Sequence, residues 1–186
     1  MFVDSHCHID FPEFSEGVVP LLANMAAAGV SHALCVAVGL ETFPRVLALA
    51  EAHDNIYASV GVHPDHDEGR EPSVAELVDL ARHPRVLAIG ETGLDYYRMK
   101  REEVDWQRHR FRAHIRAARL AGKPLIIHTR NAVGDTLAIM AEEGAGEMIH
   151  LAEFDILGVG GALVGGAVVD HAEEGLHVVV HVLHGL

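Results

Sequence analysis

The chain opens on Met1 followed by Phe2-Val-Asp-Ser-His-Cys-His-Ile-Asp10, a short apolar segment that runs directly into two histidines. His6 and His8 are separated by one residue, and alternate side chains of a β-strand point to the same side. Two neutral imidazoles that converge from one strand can bind a divalent metal ion. The alternative is a strand end with two solvated histidines, so a metal site requires further ligands elsewhere in the chain.

Composition and charge narrow the class of protein. With 186 residues, 49% hydrophobic and 22% charged, the chain is typical of a single soluble globular domain. The net charge of -13 argues against an extended nucleic-acid-binding surface, so we expect any phosphate binding to be local and metal-assisted. The only cysteines are Cys7 and Cys35, which fits a reducing compartment. We expect a cytoplasmic protein without a leader or membrane partner; the oligomeric state stays open.

Segments of strand length and of helical spacing alternate along the chain. After the opening strand, apolar runs of strand length stand near residues 33–38, 56–62, 85–90 and 124–128, with residues 147–151 offering one more. Such alternation predicts an α/β fold with a parallel sheet. We expect a TIM-barrel-type (β/α) sheet that is incomplete, with about six β/α units where a full barrel has eight.

The polar candidates stand at the carboxyl ends of the predicted strands. After His6 and His8 come His63, Glu91, His128 and, more weakly, His150. In a β/α barrel these ends gather around one mouth, where active sites are built. The remaining histidines that we place on helices or loops are expected to be solvated: His32, His53, His83, His109 and His114.

Two carboxylates of one segment are candidate catalytic residues. Glu91 follows an apolar strand and lies between Gly90 and Gly93, which allow close backbone approach. One carboxylate can bridge two metal ions and leave an open position where water becomes a nucleophile, but Glu91 could equally cap a helix or form an ion pair. Asp95 could hydrogen-bond a metal-bound water or a ligand histidine, or organise only its own turn.

His128 and Arg130 close the strand Leu125-Ile-Ile-His-Thr-Arg130. An imidazole that can bind a metal, beside a guanidinium, suits an anionic substrate that carries phosphate.

Four motifs in this order resemble the TatD family of metal-dependent hydrolases: Ser5-His-Cys-His-Ile-Asp10, Gly61-Val-His-Pro64, Gly90-Glu-Thr-Gly-Leu-Asp-Tyr96 and Pro124-Leu-Ile-Ile-His-Thr-Arg130. The resemblance covers roughly residues 1–147 and implies a TIM-barrel deoxyribonuclease related to the amidohydrolases.

The resemblance also implies roles for individual residues. It places His6 and His8 on one metal ion and His128 on a second, with Glu91 bridging the two. His63 and Arg130 would lie near the substrate phosphate. The cofactors would be two divalent cations, for which zinc, magnesium and manganese stay open, and the partner would be DNA or another phosphodiester.

The C-terminal part departs from the family pattern. A His-Cys-Phe-Ser/Thr-Gly motif and a later Glu-Thr-Asp-Ser-Pro motif, which supply further metal ligands, are both missing, and no lysine or arginine follows Arg130. His150 stands near the first of these motifs and is carried over as a metal ligand. We therefore divide the chain into a TatD-like barrel region, residues 1–147, and an atypical tail, residues 148–186.

Three functions compete at this point. The first is a metal-dependent hydrolase of phosphodiester bonds, a deoxyribonuclease that activates water with two metal ions. The second is a truncated or frame-shifted remnant without catalysis, which the altered tail favours. The third is an amidohydrolase acting on a neutral small molecule, against which Arg130 and His63 argue.

Overall fold

The computed structural model describes residues 2–14 and 17–145, together with the backbone of three strands at 149–155, 167–171 and 176–181. The strands are β1 Phe2–Cys7, β2 Val30–Cys35, β3 Ile56–Val60, β4 Val86–Asp95, β5 Leu125–Arg130, β6 Ile149–Asp155, β7 Ala167–His171 and β8 Leu176–His181. The α-helices are α1 Val18–Ala27, α2 Phe43–Ala52, α3 Val74–Leu80, α4 Asp105–Ala121 and α5 Val133–Glu142, with short 3-10 turns at Pro12–Phe14 and Arg101–Glu103. Among the described residues, no helix has the length and apolar character needed to cross a bilayer.

The first six strands form one parallel sheet in chain order, and one α-helix crosses between each consecutive pair. This confirms the predicted α/β architecture with an incomplete TIM-barrel-type sheet. The tail differs from the repeat, because β8 pairs with β6 while β7 lies outside β8 and runs antiparallel to it. The described part of the tail therefore adds two strands beyond the parallel repeat.

Two apolar layers lie on opposite faces of this sheet. The larger layer packs the helices onto the sheet and includes Val46, Ile89 and Phe111, all fully buried. The smaller layer is centred on Leu34 and Ile126 on the other face. Since successive residues of a strand alternate between faces, the histidines at the strand ends share the face of the smaller layer.

Glycines bring the strands that carry the site into close contact. A Cβ atom at Gly61 would lie 2.5 Å from the Cα atom of Gly90, so β3 and β4 approach more closely here than side chains would allow. Gly93 has a φ of 140°, and a Cβ atom there would collide with the carbonyl oxygen of His128. These contacts set the ends of β4 and β5 side by side.

One sequence-based expectation is wrong: His114 is not solvated but completely buried. It lies on the inward face of α4, seven residues after the buried Gln107 and three after the buried Phe111. Its Nε2 atom accepts the N–H of Val62 at 3.0 Å, and its Nδ1 atom donates to the carbonyl of Arg110 at 2.8 Å. The helical period of these buried positions was the signal that would have placed His114 in the core.

Candidate metal centre

Four histidines near the carboxyl ends of β1, β3 and β5 converge on one buried carboxylate, that of Glu91 within β4. Glu91 is only 2% exposed, and its two oxygen atoms face different partners. Oε2 lies 3.3 Å from Nε2 of His6 and 3.9 Å from Nε2 of His8. Oε1 lies 3.3 Å from Nδ1 of His128 and 3.9 Å from Nε2 of His63.

These contacts define two groups of possible metal ligands that share Glu91. The first cluster is His6, His8 and Glu91, and the second cluster is His63, Glu91 and His128. Within each cluster the candidate ligand atoms all lie within 4.8 Å of one another. The structure thus brings together five candidates that the sequence singled out at strand ends: His6, His8, His63, Glu91 and His128.

The first cluster presents two imidazole nitrogens to one point. Nδ1 of His8 donates to the carbonyl of Val36 at 3.0 Å, so we assign the lone pair of His8 to Nε2. This Nε2 atom lies 3.3 Å from Nε2 of His6. Phe11 stacks on the His8 ring, with 4.8 Å between ring centroids, and fixes its plane. A lone pair aimed at a second imidazole and a carboxylate suits a cation between them.

Asp95 orients His128 in the second cluster. Its Oδ2 atom lies 3.2 Å from Nε2 of His128, and an ionised carboxylate can only accept a hydrogen bond. We therefore assign the proton to Nε2, which leaves the Nδ1 lone pair on the side of Glu91. Burial alone would raise the pKa of Asp95, but hydrogen bonds from His128 and from the N–H of Tyr97 lower it below its ordinary value. Carboxylate–histidine pairs of this kind orient metal ligands.

His63 has the opposite tautomer. Its Nδ1 atom accepts the N–H of Asp65 at 3.0 Å, so a neutral ring carries its proton on Nε2, the atom that faces Glu91. Such a nitrogen donates a hydrogen bond and does not bind a metal ion as a neutral ligand. Its position beside Glu91 makes His63 a candidate metal ligand. The hydrogen bond from Asp65 to Nδ1 instead makes Nε2 of His63 a hydrogen-bond donor.

The charges at the site are those that a cation requires. Burial alone would raise the pKa of Glu91, but its contacts with His128 and His6 hold it well below its ordinary value. Burial lowers the pKa of His8, and it lowers the pKa of His63 to about 4. The site therefore combines a charged carboxylate with the neutral imidazoles of His8 and His63 at neutral pH.

A cavity of about 370 Å³ opens beside the two clusters. It is lined by His8, Phe11, Val38, His63, Asp65, His66, Glu91 and His128.

The sequence did not indicate the part that Arg110 plays at this cavity. Its buried guanidinium donates to the carbonyls of His63 at 2.7 Å and His66 at 2.9 Å, and it also pairs with Glu71. Arg110 thereby fixes the loop that carries His63. The only signal was its position on the buried face of α4.

Two predicted site residues lie at the margin of the described centre. Arg130, at the end of β5, stacks its guanidinium on Tyr97 with 3.7 Å to the ring centroid. The side chain of His150 lies outside the described residues. Its backbone in β6 pairs with Leu125, three residues before His128, whereas Glu153 stands level with His128.

Comparison with known proteins assigns the chain to a family. The model of the family described as TatD related DNase matches residues 3–159. The chain belongs to this family. Among curated proteins, the E. coli K12 uncharacterized metal-dependent hydrolase YcfH is 41% identical over 144 residues, which are 76% of this chain and 54% of that protein. The M. tuberculosis uncharacterized metal-dependent hydrolase TatD is 40% identical over 156 residues, which are 80% of this chain and 59% of that protein.

Solved structures agree with the TatD assignment. The E. coli TatD homologue YjjV superposes with a TM-score of 0.75 and 29% identity, covering 85% of this chain and 61% of that one. A TatD family hydrolase of Entamoeba histolytica superposes with a TM-score of 0.71 at 21% identity, which supports the fold alone. The predicted TatD family is confirmed, and the chain spans about half the length of the curated relatives it matches.

Proposed function

We propose that the chain binds two divalent metal ions and hydrolyses phosphodiester bonds, with DNA as the substrate class. The observation that carries the proposal is the division of Glu91 between two sets of histidines, one at each oxygen atom. A buried anionic carboxylate beside several imidazoles is a donor set that fits zinc and also admits manganese or magnesium. When bound, such ions lower the pKa of water and polarise phosphoryl oxygens.

The protein residues divide the work around these ions. His6, His8 and Glu91 would hold the first ion, while Glu91 and Nδ1 of His128 would hold the second. Asp95 would keep His128 in the tautomer that leaves Nδ1 for the metal.

Two further groups suit the substrate. The Nε2–H of His63 would donate to a non-bridging phosphate oxygen at the edge of the cavity. The guanidinium of Arg130 would neutralise phosphate charge, since it donates hydrogen bonds and is no metal ligand. Neither role suits a neutral amide substrate.

A second candidate, a remnant that binds metal without catalysis, is favoured by the departure of residues 148–186 from the family pattern, because the motifs that would supply further metal ligands do not occur there. The matched residues span 54–59% of two curated relatives.

One experiment separates the two candidates. The purified chain is loaded with zinc, manganese or magnesium, its metal content is measured by elemental analysis, and hydrolysis of bis(p-nitrophenyl) phosphate and of a DNA strand is followed. Two bound ions with metal-dependent cleavage of both substrates, lost in Glu91→Gln, support the hydrolase. Bound metal without cleavage of either substrate supports the remnant.

A further inference from the structure

An exposed aromatic ring stands next to the second cluster. Tyr97 is 59% exposed, and its backbone N–H donates to Oδ1 of Asp95 at 2.8 Å. The other oxygen of Asp95 contacts His128. One carboxylate therefore fixes both the ring-bearing backbone and a predicted metal ligand, so the position of Tyr97 is tied to that of the metal centre.

A cation supports the Tyr97 ring from one side. The guanidinium carbon of Arg130 lies 3.7 Å from the ring centroid, which is a cation–π contact. Arg130 covers one face, so the large exposed fraction of Tyr97 belongs to its other face and its edge. The ring is oriented before any ligand arrives, and the cation that orients it lies two residues beyond His128 on the same strand, at a distance of about 7 Å.

The loop that presents the ring is held at several points. The hydroxyl of Tyr96 donates to Asp135 at 2.8 Å, and Arg101 donates to both oxygens of Asp135 at 2.7 Å. Arg98 donates to Asp65 at 3.2 Å, and Asp65 lines the cavity. The segment from Tyr96 to Arg101 is thus attached to α5 on one side and to the wall of the cavity on the other.

The same segment concentrates positive charge in an acidic protein. Arg98, Lys100 and Arg101 fall within four residues, although the net charge of the chain is -13. All three side chains are exposed. Aromatic rings interleaved with cations are the surface that proteins use to bind single nucleic-acid strands without reading their sequence.

We propose that Tyr97, supported by Arg130, is a stacking platform for the nucleobase next to the phosphate that enters the cavity. This inference rests on the proposed phosphodiester function and adds a subsite to it. The base would stack on the open face of the ring, while Arg98 and Lys100 would face the neighbouring phosphates. Stacking tolerates any base, so the platform selects a strand with bases over a bare sugar–phosphate chain.

The test compares two strands on the full-length chain. Fluorescence anisotropy, with zinc as the metal and phosphorothioate linkages that resist cleavage, measures binding of a short labelled thymidine strand and of an equally long strand of abasic residues. Wild type is expected to bind the thymidine strand roughly ten-fold more tightly than the abasic strand. Tyr97→Leu should remove this difference, and Tyr97→Phe should keep it.

The controls separate stacking from positioning. If Tyr97 served only to orient Arg130, Tyr97→Leu would weaken binding of both strands equally, and the platform would be refuted. Tyr57→Leu removes the other tyrosine that lies beneath an arginine, 5.6 Å from Arg85, and should leave the thymidine preference unchanged. Equal binding of both strands by wild type overturns the platform but leaves the proposed function standing wherever bis(p-nitrophenyl) phosphate is still hydrolysed.

Discussion

The two clusters around Glu91 share one carboxylate but differ in what their histidines can do. In the first cluster, His8 directs its Nε2 lone pair toward His6 and Glu91, because its Nδ1 proton is donated to Val36. In the second cluster, His128 can offer a lone pair, but Nδ1 of His63 accepts a backbone proton from Asp65. The first cluster therefore resembles a ligand set, whereas the second leaves room for water and substrate.

Removing the charge of Glu91 should have the largest effect on metal content and hydrolysis. Glu91→Gln keeps the shape but removes the charge that both clusters require. We expect loss of both metal ions and a fall in phosphodiester hydrolysis of more than about 100-fold, since even partners that merely orient a ligand contribute about 10–100-fold. Elemental analysis and initial rates measure both quantities. Full metal content in Glu91→Gln would show that Glu91 bridges nothing.

Alanine substitution of the histidines in each cluster tests the difference between the two clusters. His6→Ala combined with His8→Ala should remove one of the two metal ions. His63→Ala should leave metal content unchanged and slow hydrolysis, because its Nε2–H is a donor and no ligand. Elemental analysis of the two variants side by side is the measurement. A lower metal content in His63→Ala would mean that its tautomer changes on metal binding and that His63 is a ligand.

Because Asp95 orients His128, a substitution of Asp95 should affect the second cluster alone. Asp95→Asn removes the charge that holds the Nε2 proton of His128. We expect the affinity of the second metal ion to fall by about 10–100-fold, with the first ion unaffected. Titration with a metal indicator, which resolves the two binding steps, measures this difference. Equal weakening of both steps would contradict a role confined to His128.

A third histidine environment, that of His114, shows what burial does without a metal ion. Burial lowers the pKa of His114 to about 4 from its ordinary 6.5. Its contribution to stability is present above pH 6.5 and is lost as the pH falls toward about 4, because the unfolded chain binds a proton that the folded chain excludes. Between about pH 7 and about pH 5 this costs roughly 2 kcal/mol.

His114→Gln provides the measurement. Urea unfolding of the metal-loaded wild type and of His114→Gln at both pH values should show the steeper loss of stability in wild type. Glutamine can still accept the N–H of Val62 but does not titrate. The same pH slope in both proteins would mean that His114 is protonated in the fold.

Hydrophobic periodicity along the chain predicted the strands that carry the site. The tautomers and side-chain contacts within the site depend on hydrogen bonds and ring contacts of the folded chain. Strand periodicity placed His6, Glu91 and His128 at strand ends, and a parallel sheet then brings such ends to one edge. The tautomer of His63 depends on the backbone N–H of Asp65, and the stack of Arg130 on Tyr97 joins the end of β5 to the segment that follows β4. Neither contact leaves a trace in spacing along the chain, so neither could be predicted from the sequence.

The tail shows the same limit. The apolar segments of the tail did not indicate that β7 would run antiparallel to β8, because strands of this length can pair in either direction. The assignment of His150 as a ligand stays a prediction, and the backbone register argues against it. His150 pairs with Leu125, which sets it three residues, or about 10 Å, before the level of His128 along the strand.

The smallest effect is therefore expected for His150→Ala, which should retain the metal content and the rate of wild type. Glu153→Gln is the matched comparison, since Glu153 stands level with His128 and a carboxylate there could serve the second cluster, which has fewer ligands of its own. Elemental analysis of both variants, after dialysis against a weak chelator, should rank Glu153→Gln below His150→Ala. The reverse ranking would mean that β6 pairs with β5 in another register once metal is bound. His150 would then take the place that the family resemblance assigned to it, and the second cluster would be completed by the tail.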